Sequence, residues 1–580
     1  MSIYSKEENI QILISLLKEH NIRKVIVSPG TSNISFVASV QSDDYFEVYS
    51  CVDERSAAYM ACGLSEESGE PVVISCTGAT ASRNYLPGLT EAYYSKLPVI
   101  AVTATQHIGR VGQNVPQVLD RSVQMKDVFK KTIQLTIVHT EEDRWANNVK
   151  VNDALLECRR NGGGPVHINM ETTYDNTFMN GNVPKQRKID RYTLDDDFPD
   201  LEKYKDIAIF VGNHLPFDEE LMHVVETFCE KHNAIVLCDH TSNYNGKYKI
   251  LGSLISAAGE KQFKSFDLVI NIGNISGSYM KFNTKEIWRV DSDGEIKDTY
   301  KKLTKVFAMS EKQFFKEFDK QVNTSNTNTI YEKINHEDDR LRQKLHQLEL
   351  PFSNPFIVKN IIDKIEDNSV VHLAILNSLR SWNYFETEKN IKFYSNTGGF
   401  GIDGITSTAI GTALATDNPV YCFIGDLAFF YDMNSLGNIN VKNNLRIMLI
   451  NNGCGAEFHL FNNRMTDISQ QHDLSVEYVA ADGHFGNKSD KLVKHLAEDL
   501  DFEYISASTK EEFLNNLDEF TKDTTDKPII FEVFTNASDE SDAQEKIAKI
   551  DITSKTIVKN MAKKALGKNG VKIAKKIVRK

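Results

Sequence analysis

The chain has 580 residues, 41% of them hydrophobic and 25% charged, with a formal net charge of −13. That size calls for about three or four domains with substantial cores, and the acidic balance excludes a general nucleic-acid binder. Its eight cysteines are scattered without a paired CxxC, and Cys51, Cys62, Cys76, Cys238 and Cys422 fall in apolar runs, as reduced core thiols do in a cytoplasmic protein.

In chain order, a polar N-terminus runs into an amphipathic helix, Ile10 to Leu17, with no signal-peptide pattern. No segment reaches the roughly 20 apolar residues that span a bilayer. Val25-Ile26-Val27 is a strand that ends in the turn Ser28-Pro29-Gly30, and Val48 to Val52 leads into Asp53-Glu54-Arg55-Ser56-Ala57-Ala58, which reads as a helix start. Val72 to Gly78 and Pro98 to Thr103 are further strands of the same alternating α/β pattern. Glu54, an acid in a first helical turn, is already favoured there by the helix macrodipole.

Pro184 to Pro199 is polar and charged with little apolar periodicity, as a linker is, and Asn323 to His336 has the same character before the break Pro351-Phe352-Ser353-Asn354-Pro355. The boundaries this predicts are 1–185, 200–345 and 352–548, followed by a tail at 549–580. The strand from Asp206 to Gly212 carries no glycine-rich dinucleotide fingerprint, which predicts no redox cofactor.

Val420 to Ile424 is a β-rich run that stops at Gly425, so Asp426 emerges at the carboxyl end of a strand, where ligands bind in open α/β sheets. Asp432 to Asn440 has a helical spread of apolar and polar residues, and Leu445 to Ile450 is a second strand delivering Asn451-Asn452-Gly453-Cys454-Gly455. Magnesium takes a few hard oxygens completed by water and substrate phosphates, so Asp426, the Asn452 side chain and the Cys454 carbonyl suit a magnesium diphosphate. A strand ending in an Asp turn and another ending in an Asn-Gly turn is the plainer alternative. From Lys555 to Lys580 there are ten Lys or Arg and no acid, with Ile557, Met561, Ala565, Val571, Ala574 and Ile577 near helical spacing. Such a tail suits an anionic membrane or an acidic partner; a solvated helix or a disordered tail is the alternative, and Gly567 and Gly570 weaken continuous helicity.

Five runs carry a resemblance to a known family: SPG at Ser28 to Gly30, DERSAA at Asp53 to Ala58, EAYYSKLPVIAVTA at Glu91 to Ala104, YSNTGGFGIDG at Tyr394 to Gly404, and GDLAFFYDMNSL at Gly425 to Leu436 with its Asn-Asn partner. Through them the chain resembles thiamine diphosphate enzymes of the decarboxylase and acetohydroxyacid synthase type, and within these the SEPHCHC synthase branch of the menaquinone pathway. The resemblance implies an α/β fold of three doubly wound parallel-sheet domains: pyrimidine-binding, central and diphosphate-binding, with the basic C-terminal tail after them. It implies thiamine diphosphate and Mg2+ as cofactors, and a homodimer or homotetramer, since these enzymes complete each cofactor site from two subunits.

Residue by residue, the resemblance makes Glu54 the acid that hydrogen-bonds the aminopyrimidine and so controls removal of the thiazolium proton. It makes Gln117 a residue facing the thiazolium and Ile402 the apolar wedge beneath the cofactor. Thr77, Gly78 and Asn84 then serve the pyrimidine side, and Thr397, Gly398, Gly425 and Leu427 line the rest of the cofactor. The departures bear on substrate. Ser32, Thr105-Gln106 and Thr397 stand where the SEPHCHC synthases carry arginines for a polycarboxylate, and losing three charge-assisted contacts removes several kcal/mol at roughly 1.5–3 each. New polar groups occur nearby: His107, Glu457 and His459 are candidates for proton transfer, and Tyr279 and Lys281 for contact with a substrate anion.

These residues predict a carboligase that decarboxylates a 2-oxo acid and passes the acyl-anion equivalent to a carbonyl acceptor such as a keto sugar. The tail's compositional likeness to ends of bacterial surface-polysaccharide enzymes extends this to surface-polysaccharide or branched-sugar biosynthesis. The expected location is cytoplasmic, with peripheral contact at the inner face of the membrane through the tail. A simple 2-oxo acid decarboxylase and a non-catalytic scaffold of the same fold are the alternatives.

Overall fold

The Val72–Cys76 and Val99–Thr105 strands are buried at every position, as strands are in a parallel sheet that helices cover on both faces. A computed structural model describes residues 2–258, 265–278, 280, 282–321, 328–483 and 489–551. The chain divides into two units, Met1–Asp196 with Ser292–Ala308, and Asp197–Asp291 with Met309–Lys580. Tyr279, Lys281 and the basic tail from Lys555 lie outside the described residues.

The first unit holds a six-stranded parallel sheet. Its strands lie side by side in the order Glu47–Ser50, Lys24–Val27, Val72–Cys76, Val99–Thr105, Val166–Glu171, Lys131–Leu135. The chain starts one strand in from the edge, winds outward to Glu47–Ser50 and then crosses back, so the switch point falls between Lys24–Val27 and Val72–Cys76. The Ser28-Pro29-Gly30 and Thr77-Gly78 loops leave the carboxyl ends of those two strands, which is where an open α/β sheet receives a ligand.

The second unit holds two parallel sheets. Five strands run in the order Lys249–Leu251, Ala234–Cys238, Ile207–Val211, Phe266–Ile272, Thr284–Val290. Six more run Lys392–Tyr394, Val370–Leu373, Val420–Gly425, Leu445–Asn451, Ile529–Phe534, Glu503–Ala507. Taken in chain order, this last sheet repeats the winding of the first unit's sheet strand for strand, and its switch point lies between Val370–Leu373 and Val420–Gly425. The two sheets expected to hold the two ends of a cofactor thus share one topology without a visible sequence repeat. The α/β class read from the sequence is what the chain adopts.

Three local expectations need correction. The helix Glu8–Glu19 is not amphipathic in place: every residue from Asn9 to Leu17 is buried. Two of its polar members donate to backbone carbonyls, Asn9 to that of Glu171 at 2.8 Å and Gln11 to that of Ser5 at 2.7 Å. The stretch from Asn323 to His336 is not linker throughout, because a helix spans Thr329–Gln347, capped by Asn328 through the Tyr331 N–H at 3.1 Å. Ile330, Ile334, Leu341 and Leu345 form its buried stripe, spaced too widely among charges to stand out in the sequence. Finally, the helix near Asp432 comes earlier than expected, at Asp426–Asp432, and only a short 3-10 turn follows at Met433–Gly437.

Candidate functional site

In the first unit, the helix Glu54–Ser68 begins where the Asp53 carboxylate accepts the Arg55 N–H at 3.0 Å, and it ends at Gly69 in the left-handed conformation, φ 66. This cap, worth about 1 kcal/mol, fixes Glu54 at the first helical position. Asn84, at the end of the helix Ala79–Asn84, donates to Glu54 Oε2 at 3.1 Å. Two residues expected on the pyrimidine side from separate parts of the sequence therefore meet.

Thr77 and Gly78 sit against the neighbouring loops. The Thr77 hydroxyl is hydrogen-bonded to that of Ser32, and Ser32 is buried. A Cβ on Gly78 would come within 3.0 Å of the Ala104 carbonyl oxygen and 3.2 Å of that of Gln117, so a larger residue there has to push one of these backbone segments back by a few tenths of an ångström. Gln117 itself holds φ 66, a left-handed conformation that costs a non-glycine residue energy and gathers at functional sites. Arg121 escaped the sequence reading. It is 2% exposed, donates to the Ala104 carbonyl at 2.8 Å, and is pushed down to about 10 by burial. Its place four residues beyond Gln117 was the only signal for it. His107 accepts the Gly109 N–H at Nδ1, 3.1 Å away, and so caps the turn Ile108–Arg110; its ring is otherwise exposed.

In the second unit, the Asp426 carboxylate lies at the carboxyl end of Val420–Gly425 and is 4% exposed. It accepts the Leu427 N–H at 2.7 Å and the Gly453 N–H at 2.6 Å. Burial pushes this carboxyl up to about 6, against those backbone donors that pull it down. Gly453 reaches Asp426 because it takes φ 75, a conformation cheap only for glycine. The two asparagines divide their work. Asn451 donates to Glu532 at 2.7 Å and accepts the Gly453 N–H at 3.2 Å inside the core, while the Asn452 amide oxygen meets the Cys454 thiol at 3.6 Å. The Cys454 carbonyl accepts the Ala456 N–H at 3.0 Å. The Asp426–Gly453 hydrogen bond joins the two strand ends, and Asp426, the Asn452 amide and the Cys454 carbonyl offer oxygens of the hard kind that a divalent cation takes.

Ile402 packs partly buried on the core beneath the same sheet. Gly398 and Gly425 have open space where a Cβ would stand. Thr397 is 2% exposed and its hydroxyl accepts from the Asn213 amide at 3.0 Å, so its polar end serves the packing of the five-stranded sheet's loops. Glu457 departs most from expectation. Rather than a lone proton-transfer group, it forms a fork with Arg380, 2.7 and 3.1 Å, in which each side chain is 23% exposed. This pair lines a cavity of about 550 Å3. His459 Nε2 lies 3.1 Å from Asp482, and the Cys454 thiol is close enough that the three groups cluster. Arg380 and Asp482 were missed in the sequence; each is legible only through a fold that brings it to Glu457 or His459.

Among the described residues no helix is long and apolar enough to cross a membrane. Residues 9–125 match the family model "Thiamine pyrophosphate enzyme, N-terminal TPP binding domain", and residues 377–533 match "Thiamine pyrophosphate enzyme, C-terminal TPP binding domain". The first match holds Glu54, Thr77, Gly78, Asn84 and Gln117; the second holds Asp426, Asn452 and Cys454. The chain is 31% identical over 564 residues to the 2-succinyl-5-enolpyruvyl-6-hydroxy-3-cyclohexene-1-carboxylate synthase of Bacteroides thetaiotaomicron, covering 92% of this chain and 97% of that one. The protein of the same name from Phocaeicola vulgatus is 31% identical with 92% and 96% covered. That of Flavobacterium johnsoniae is 27% identical with 92% and 97% covered.

Proposed function

Because the chain belongs to the thiamine pyrophosphate enzyme family, on the branch of the 2-succinyl-5-enolpyruvyl-6-hydroxy-3-cyclohexene-1-carboxylate synthases, we propose that it decarboxylates a 2-oxo acid and joins the remaining acyl unit to a carbonyl acceptor. When bound, thiamine diphosphate supplies the nucleophilic carbon that stores the acyl unit. Every other requirement falls on the protein. Glu54, held at Oε2 by Asn84, hydrogen-bonds the aminopyrimidine and moves its proton. Gly78 lets the Ala104 and Gln117 carbonyls close over the pyrimidine side, and Gln117 orients the reacting carbonyl. Asp426, Asn452 and the Cys454 carbonyl would hold magnesium with the diphosphate, and Leu427, Gly398 and Ile402 would contact the cofactor. His459, with Asp482 against Nε2, keeps its proton there and leaves Nδ1 to accept one. Two copies supply the two halves, so the active species is a homodimer or homotetramer.

The observation that carries this reading is the buried Asp426 carboxylate with no cation partner, clasped by Gly453 at the end of the adjacent strand. Burial raises the cost of its charge, and a bound divalent cation would offset that cost. We read the acceptor as other than a polycarboxylate, since Ser32 and Thr397, which the resemblance sets at positions of substrate-binding arginines, are uncharged and have their hydroxyls tied to Thr77 and Asn213. The test is mass-resolved product analysis of the purified protein with thiamine diphosphate, magnesium and a panel of 2-oxo acids, with and without carbonyl acceptors. Carbon dioxide release with a joined product supports a carboligase. Release with only an aldehyde makes it a decarboxylase, and absence of turnover with cofactor bound overturns the reading.

A further inference from the structure

Among the described residues, Cys454, His459 and Asp482 are the one group of three side chains whose cation-ligating atoms gather at a point: a thiol sulfur, an imidazole nitrogen and a carboxylate oxygen, all within 4.8 Å of one another. His459 Nε2 and Asp482 Oδ1 are 3.1 Å apart. Ligand atoms on bonds of about 2.0–2.3 Å around a tetrahedral zinc ion stand about 3.3–3.8 Å from each other, a range that the separations found here enclose.

The three groups come from two segments that the backbone fixes together. Cys454 and His459 flank the turn after the strand Leu445–Asn451, where Asp426 clasps the Gly453 N–H and the Phe458 N–H donates to the Gly455 carbonyl at 3.0 Å. Asp482 follows the short helix Glu477–Ala480, and its N–H donates to the Glu477 carbonyl at 3.0 Å. The Gly455 N–H donates across to the Ala480 carbonyl at 2.5 Å. This bond lies one residue from Cys454 and two from Asp482, so the ligand atoms are assembled before any ion arrives.

Access and charge suit a cation. Cys454 is 8% exposed, whereas the side chains of His459 and Asp482 are 24% and 32% exposed, so solvent reaches the cluster on the imidazole and carboxylate side and water can complete the coordination. A thiolate and a carboxylate together carry two negative charges, which a divalent ion neutralises. Sulfur and imidazole select zinc or cobalt(II), while magnesium takes hard oxygens. The cluster and the oxygen donors proposed for magnesium share only Cys454, through different atoms.

We infer that Cys454 Sγ, His459 and Asp482 form a cation site separate from that of magnesium, for a thiophilic divalent ion of the zinc class. On binding, the Cys454 thiol gives its proton to solvent, a metal–sulfur bond forms, and the imidazole nitrogen and the carboxylate oxygen each donate a lone pair, with no change of oxidation state. The site stands apart from the carboligase reading. Its one consequence that rests on that reading is inhibition, since the ion occupies an imidazole nitrogen of the group assigned to proton transfer.

The test is titration of the full chain with cobalt(II), in excess thiamine diphosphate and magnesium so that the oxygen donors are occupied, and without added thiols. One equivalent should give a near-ultraviolet thiolate-to-cobalt charge-transfer band with the strong visible bands of a tetrahedral ion, and zinc should abolish both. Cys454→Ser should lose the charge-transfer band, while Cys51→Ser, at the one cysteine that is not buried, should keep it. Asp482→Asn should weaken cobalt binding at least about tenfold, the low end of what losing even a ligand's supporting partner does; Asp482 is partly exposed, so this variant decides the matter where Cys454→Ser fails to fold. Absence of binding, a saturated complex without the charge-transfer band, a band that survives Cys454→Ser, or affinity indifferent to Asp482→Asn overturns the inference. Carbon dioxide release is followed in the same samples. If the spectra establish the site and zinc leaves turnover unchanged, the role of His459 in proton transfer fails and the cation site stands; if the cobalt-free protein releases none, the reaction reading fails and the spectra still decide the site.

Discussion

Replacing Asp426 by Asn should leave the stability of the cofactor-free protein little changed and remove most of the stabilisation that magnesium and thiamine diphosphate add. The carboxyl is 4% exposed and stands at about 6 instead of 3.8. At about 1.36 kcal/mol per pKa unit, keeping it ionised in the fold costs about 3 kcal/mol above pH 7. An Asn at this position retains one oxygen for Gly453 or Leu427 but turns its NH2 toward the other backbone N–H, and two unmet buried donors at about 1–3 kcal/mol each offset most or all of the gain from removing the charge. The same substitution removes the charge that holds magnesium. A cofactor present at a hundred times its dissociation constant adds about 2.7 kcal/mol to the wild type, and the variant should gain little of this. Urea denaturation of both proteins at pH 7.5, with and without magnesium and thiamine diphosphate, reads all four stabilities. A variant stabilised as much by the cofactor as the wild type would refute the assignment of Asp426.

Glu540 gives a pH signature of a different kind. It is fully buried, accepts the Asn354 N–H at 3.0 Å and the Thr535 hydroxyl at 3.0 Å, and is pushed up to about 7 from 4.5 by burial. The fold therefore holds this proton more tightly than the unfolded chain does, so stability falls as pH rises from about 4.5 to 7 and is flat above, by about 3 kcal/mol for this group. Glu540→Gln lacks the titration, and the stability difference between the two proteins should change by that amount over the window in urea midpoints. Arg380→Met strands the Glu457 carboxylate and should cost about 2 kcal/mol, discounted because both partners are partly exposed; Arg380→Met with Glu457→Leu should recover most of it in a double-mutant cycle. Gly78→Ala drives a Cβ to 3.0 Å from the Ala104 carbonyl and should lower stability by about 1–3 kcal/mol and weaken cofactor binding in a fluorescence titration.

The winding of the sheets was legible because apolar runs ending in Ser28-Pro29-Gly30, Thr77-Gly78 and Gly425-Asp426 place glycine where strands hand over to loops, and that punctuation survives without tertiary context. That Asp426 and the Asn452-Gly453 turn meet was legible for the same reason: they leave the carboxyl ends of two adjacent parallel strands. The helix Thr329–Gln347 was hidden because its buried stripe is four residues in a charged surround. The Arg380–Glu457 fork was hidden because its members are 77 residues apart and meet only when the strand Val370–Leu373 and the Asn452 loop lie in one sheet. Glu457 stood out in the sequence only as a candidate for proton transfer, and its pairing with Arg380 gives it a different place.

The central claim is that Glu54 activates a bound thiamine diphosphate, and the most direct measurement is the rate of hydrogen–deuterium exchange at the cofactor's thiazolium C2, followed by NMR after acid quench. The wild type should accelerate this exchange strongly, and Glu54→Gln should lose at least about a hundredfold, about 2.7 kcal/mol of barrier, while still binding the cofactor and magnesium. Equal exchange in the two proteins, both with cofactor bound, would contradict the account.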